Sequence, residues 1–144
     1  MPVRLRYRAG RPVERARSGP LRGVQGGPPV IPKSKAWRSE RYLAWVRSLP
    51  CCMTGEEGCE AHHVIGLGWG LSGWGLKAPD SFVMPLTPWA HRMVHQRAEW
   101  QPWQVEWLQQ TIRAGLTEFA NDPDIREQLT HALAFIAARE GATA

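Results

Sequence analysis

The sequence predicts an α+β fold in which a small pair of strands bearing histidines is embedded among α-helices, behind a disordered basic arm. Three observations point there. Four of the five histidines fall between Ala61 and His95, as the pair His62-His63 at one end and His91-x-x-x-His95 at the other. The segments flanking that stretch carry apolar residues at helical spacing. Residues 1–35 hold nine Lys/Arg against the single acid Glu14, and glycines and prolines interrupt every periodic run within them.

At 144 residues the chain is long enough for one modest domain plus appendages. Its net charge of +5 divides unevenly, with +8 over residues 1–35 and −3 over the remainder. The basic excess therefore belongs to the arm, and an arm of this kind usually meets a polyanion, most often nucleic acid. Arg4, Arg6, Arg8 and Arg11 are its first candidate phosphate contacts; the plainer alternative is a solvated leader that touches nothing. Three cysteines, Cys51, Cys52 and Cys59, do not make a secreted disulfide framework. No apolar run approaches the roughly 18 residues that span a bilayer. The early arginines have no apolar segment behind them to form a secretory signal. Together these features lead us to expect a cytoplasmic protein.

The elements follow in order. Ser39 opens a helix in which Tyr42, Leu43, Val46 and Leu49 recur at helical spacing, and Pro50 closes it. Trp37 and Trp45 are placed to dock this helix. Cys51 to Gly55 reads as a short strand into a turn, with Cys59 to His63 as the strand that returns against it. The cysteines invite a structural zinc, but Thr54 stands where a Cys-x-x-Cys knuckle needs its second thiol, so packed thiols fit better. From Gly66 to Lys77 the chain is rich in Gly and Trp. Trp69 and Trp74 can stack on unpaired bases or fold back over a thin core, and Lys77 at the loop's end joins the candidate nucleic-acid contacts. Phe82 to Leu86 is an apolar extended run. Thr87 caps the next helix, with Pro88 at its first position, and this helix carries His91 and His95 and runs to about Trp100. Pro102 begins another, with Trp103, Trp107, Leu108, Thr111, Ile112 and Leu116 on one side. Asp122-Pro123 opens the last, with Ile125, Leu129, Ala132, Leu133 and Ile136 inward, His131 outside any ligand role and Gly141 beyond its end. The organisation is then an arm over 1–35 and a domain over 36–144, divided into a core of 51–100 and C-terminal helices over 102–140.

Four residues apart on a helix, His91 and His95 project from one face and can grip one divalent cation. Nitrogen-rich ligation suits Zn, Mn or Ni better than Mg, which prefers oxygen.

The order of these pieces resembles the HNH nuclease finger, a ββα-metal unit, and more closely the phage and prophage HNH proteins of the Ref-like (recombination-enhancement) kind. The motifs that carry the resemblance are His62-His-Val-Ile-Gly66, Lys77-Ala-Pro-Asp80 and Met84-Pro-Leu-Thr-Pro-x-x-His91-x-x-x-His95, about a third of the chain. The resemblance implies a metal-dependent endonuclease acting on DNA, or a metal-stabilised nucleic-acid-binding module that has lost turnover. It implies that His62 joins His91 and His95 as a metal ligand, that His63 is the general base, and that Asp80 orients that base. Thr87 and Ala90 stand where many relatives carry a Cys and a further His, which implies a lost zinc knuckle. A neutral imidazole, with an ordinary pKa of about 6.5, suits the base role near neutral pH. Neighbouring residues on a strand point to opposite faces, so the His pair needs a twist to serve one site.

Overall fold

The computed structural model describes residues 36–71 and 77–143. The arm, with Arg4, Arg6, Arg8 and Arg11, and the segment holding Trp74 lie outside the described residues. The fold is α+β: the described residues form four α-helices around one two-stranded antiparallel sheet.

Helix α1 spans Glu40–Arg47, and the Ser39 hydroxyl accepts the Tyr42 N–H at its start. It stops before Leu49, because Ser48 turns its N–H and hydroxyl back onto the Trp45 carbonyl. Strand β1 (Glu60–His63) pairs antiparallel with β2 (Val83–Leu86), matching His62 to Met84 and His63 to Val83. This corrects the hairpin expected from Cys51–Gly55. That segment instead closes a turn, with Gly55 N–H on the Cys51 carbonyl and Cys51 N–H on the Glu56 carbonyl. The Cys51 sulfur accepts the N–H groups of Thr54 and Thr87, both at 3.4 Å. A turn that spends most of its polar groups on itself has too few left for a strand ladder; a single bond, Cys52 N–H to the Pro85 carbonyl, ties it to β2. The three thiols are free, with Cys51 and Cys59 buried.

Helix α2 (Pro88–Gln96) starts as its Thr87-Pro88 signal predicts, with the Thr87 hydroxyl accepting the Ala90 N–H. It breaks at Arg97, whose backbone is extended, and a separate 3₁₀ turn, Ala98–Trp100, follows. Helix α3 (Trp103–Glu118) packs against both β2 and helix α4 (Pro123–Thr143), while α1 covers both strands. All four β2 residues are buried, which explains their unbroken apolar run. Two expectations fail here. Trp103 is 51% exposed, and the buried face of α3 is Gln104, Trp107, Leu108, Thr111, Ile112 and Gly115. Gly141 does not end α4, since one glycine in an exposed turn costs only about 1 kcal/mol against alanine and the helix carries through it. Among the described residues no helix is long and apolar enough to cross a membrane.

Gly115 sits where the helices meet. A Cβ there would stand 2.8 Å from Leu129 Cδ1 and 3.1 Å from Tyr42 Cε1. Overpacking of that kind costs about 1–3 kcal/mol, against about 1 kcal/mol of helix propensity gained. We expect Gly115→Ala to lower stability by on the order of 1 kcal/mol, measured as a lower urea midpoint at unchanged slope.

Candidate metal centre

Strand β1 delivers the first half of the site. Alternation places Glu60 and His62 on one face and His63 on the other. His62 is 1% exposed, and its ring lies edge-on to those of His91 and His95, with centroids at 4.7 and 5.4 Å. Helix α2 delivers the second half: its i, i+4 spacing holds the His91 and His95 rings 4.9 Å apart. One nitrogen from each of His62, His91 and His95 falls within 4.8 Å of the others. Small ring rotations bring such a set to the separations of about 3.4 Å that bonds of about 2.0–2.1 Å to a tetrahedral ion require.

The supporting contacts decide which nitrogens are free. His91 Nδ1–H donates to Glu60 Oε1 at 2.7 Å, which leaves Nε2 with the lone pair. His62 Nε2 meets Gln104 Oε1 at 2.8 Å, and His62 Nδ1 is buried with no hydrogen-bond partner. An orphaned imidazole nitrogen costs free energy unless something fills its place. A divalent cation is what this donor set fits, and His62, His91 and His95 would hold it. Burial pushes the His62 pKa down to about 3, with the neighbouring histidines adding to the effect. Burial also lowers His95, helped by the nearby His91. Both rings are thereby kept neutral, as ligation demands. His91 is half-buried and His95 exposed, so the cluster is reachable from solvent.

His63 faces the other way. Its Nε2–H donates to Asp80 Oδ1 at 2.7 Å, leaving Nδ1 as the basic nitrogen. Asp80 is 2% exposed and also accepts the Ser39 N–H at 2.8 Å and Arg38 Nη1 at 3.0 Å. Burial alone would raise this carboxyl, but the hydrogen bonds from His63, Ser39 and Arg38 outweigh it and hold the pKa below the usual value. For His63 burial dominates and lowers the pKa, while the bond to Asp80 opposes the shift. Arg38 further ties down the Lys77 and Ala78 carbonyls, at 3.1 and 2.7 Å. His63, His91, His95 and Lys77 are among the residues that line one cleft of about 320 Å³. Just beyond the strand, Gly66 adopts φ +68°, and Leu67 is the one non-glycine described residue with positive φ, at 65°. That left-handed pair bends the chain just after the strand.

Of the other candidates, Lys77 is exposed at the cleft. Trp69 is partly buried, edge-on to Phe135 at 5.9 Å, on the wall of a different cleft of about 730 Å³. Sequence reasoning overlooked three supporting residues. Glu60 was signalled by its i, i+2 relation to His62. Gln104 was signalled as a polar residue at the 104, 107, 108, 111 spacing of an apolar face. Arg38 had no local signal, since its partners lie about forty residues away.

The molecule is thus an α+β domain that holds a cluster of three histidines and a His63–Asp80 pair. Residues 29–116 match the family described as "Protein of unknown function (DUF968)", and the chain belongs to that family. It is also 42% identical, over 65 residues, to the uncharacterized protein YdfU of Escherichia coli (strain K12), a stretch covering 45% of this chain and 18% of that protein. The chain thus matches less than a fifth of that relative's length. No solved structure matches it.

Proposed function

We propose that the protein is a metal-dependent endonuclease of the HNH, ββα-metal kind, hydrolysing DNA phosphodiester bonds with His63 as general base. The observation that carries this reading is the meeting of the Asp80-bound His63 with His91 and His95 at one cleft. His63 Nδ1 takes a proton from water as the water oxygen bonds to phosphorus; the bond to the 3′ oxygen breaks, and that oxygen leaves with the electron pair and takes a proton from solvent. Asp80 holds the ring by Nε2 and stabilises the imidazolium that forms. His62, His91 and His95 would hold a divalent cation, which would supply Lewis-acid stabilisation of the charge that builds on the phosphate. Lys77 and Arg38 add positive charge around the cleft, and the Trp69 and Trp74 loop is a further candidate contact. The ion is Zn, Mn, Ni or Mg, with nitrogen ligation favouring the first three. A cytoplasmic location, and a role in phage or prophage biology, belong to the same proposal.

The test is nicking of supercoiled plasmid by the purified chain with Mg²⁺, Mn²⁺, Zn²⁺ or EDTA. Metal-dependent nicking supports the proposal. DNA binding and metal binding without nicking under any of these ions would overturn catalysis in favour of a binding module.

The arm makes a separate prediction. Deleting residues 1–35 removes nine Lys/Arg. DNA affinity is expected to fall, and its salt dependence to flatten by a slope of roughly 0.9 for each phosphate no longer neutralised. Binding measured across a salt series, with circular dichroism to check folding, decides this; an unchanged slope would make the arm a bystander.

A further inference from the structure

Gln104 lies on α3, outside the strands and the helix that bear the histidines, yet it is fully buried against them. Its amide uses its full hydrogen-bonding capacity. Nε2 donates to the carbonyls of Ile65 at 2.9 Å and Gln101 at 3.0 Å. Oε1 accepts the Ile65 N–H at 3.1 Å and meets His62 Nε2 at 2.8 Å. Three of those four partners are backbone groups whose donor or acceptor character cannot change. Turning the amide over would set its NH₂ against an N–H and its oxygen against two carbonyls, so its orientation is settled by the main chain and not by His62. The atom presented to His62 is therefore an acceptor, and the ring nitrogen facing it must carry the hydrogen.

We infer that Gln104 is a positioning residue that locks His62 in the tautomer with its proton on Nε2, so that Nδ1 is the only nitrogen His62 can offer a cation. The ligation half of this inference rests on the metal reading above; the tautomer half does not. The buried, unpartnered Nδ1, on a ring packed against those of His91 and His95, is the structural counterpart of that lock. The same amide holds both main-chain groups of Ile65, three residues after His62. The ring's tautomer and the exit of β1 are thus set by one side chain, and α3 becomes a supporting element of the centre. Imidazole ligands are commonly held in this way by a partner on the second nitrogen, and losing such a partner typically costs about 10–100-fold in metal affinity.

The experiment uses the isotope-labelled full chain, first without metal. Long-range proton–nitrogen correlation near neutral pH is expected to find His62 with its proton on Nε2. A proton on Nδ1, or an even mixture, would overturn the inference. Zn²⁺ is then added, and the His62 nitrogen that shifts on binding is expected to be Nδ1; a response at Nε2 overturns the ligation half. Gln104→Met, similar in size but without the acceptor, should bind Zn²⁺ about 10–100-fold more weakly and show a mixed His62 tautomer. Unchanged affinity in a folded Gln104→Met removes the positioning role. Should that variant fail to fold, the wild-type spectra alone still decide. If wild type shows the expected tautomer but no Zn²⁺ binding, the metal centre itself is overturned and only the tautomer lock stands.

Discussion

His63→Ala is expected to lower the plasmid-nicking rate by about 10²–10⁴-fold, the contribution usual for a positioned general base, while metal content and DNA affinity stay at wild-type levels. The separation follows from where the side chains point. His63 bonds to Asp80, whereas the candidate ligand set is His62, His91 and His95 and needs nothing from His63. Asp80→Ala should fall between wild type and His63→Ala. It removes the acceptor that holds the ring, but it also leaves Arg38 without its carboxylate and uncouples the Ser39 N–H that Asp80 accepts. Some loss of stability should therefore accompany it. The pH profile carries a sign. Because burial lowers the His63 pKa, the base form is already populated at neutral pH, and the acidic limb of the rate should lie below about 6.5. A His63→Ala protein that nicks at the wild-type rate, with contaminating nuclease excluded, removes His63 from the mechanism.

The second large effect concerns the cation. His91→Ala should reduce Zn²⁺ affinity by more than the about 10–100-fold that follows loss of a supporting partner, because it removes a ligand outright. In wild type, Zn²⁺ at one hundred times its dissociation constant should add about 2.7 kcal/mol to stability, seen as a higher melting temperature. His91→Ala should show no such rise at the same concentration. Equal metal content in the two proteins would sink the assignment. Without metal, His62 imposes its own pH dependence. Its folded pKa of about 3 lies below the ordinary value, so between about 3 and 6.5 the unfolded chain binds a proton that the folded chain refuses. Stability from this group is present above about 6.5 and is lost as the pH falls through that window, by up to about 1.4 kcal/mol per pH unit. Urea unfolding of the metal-free protein across that range measures it, and His62→Ala should flatten the curve.

The helices were largely legible in the sequence because their starts are local events. Ser39, Thr87 and Asp122 each bond to an N–H three residues on, and each stands just before an apolar periodicity. The α2 histidines were legible for the same reason, since i, i+4 spacing needs no knowledge of the rest of the chain. The strand pairing was not. Cys51–Gly55 is nearer in sequence to β1 than Val83–Leu86 is, and proximity favoured the wrong partner. What decides the matter is a sulfur accepting two backbone N–H groups, one of them from Thr87, thirty-six residues away. The supporting residues divide in the same manner: Glu60 was within reach of strand alternation and Gln104 of the apolar spacing of its helix, while Arg38 acts across about forty residues, where a single sequence has no pattern to read.

The packing of α4 onto α3 bears on how this protein can be cut. The family match ends at residue 116, and all of α4 lies beyond it. Yet Ile125, Leu129, Ala132 and Ile136 belong to the same core as Leu108 and Ile112, and Leu129 presses on Gly115. A recombinant fragment ending at the homology boundary would keep every histidine of the cleft and strip the cover from the helix that holds Gln104. Such a fragment would present a bare apolar stripe to solvent and self-associate before its chemistry could be measured. The span shared with the family is thus shorter than the span that folds, and any excised version has to carry α4 or a substitute for it.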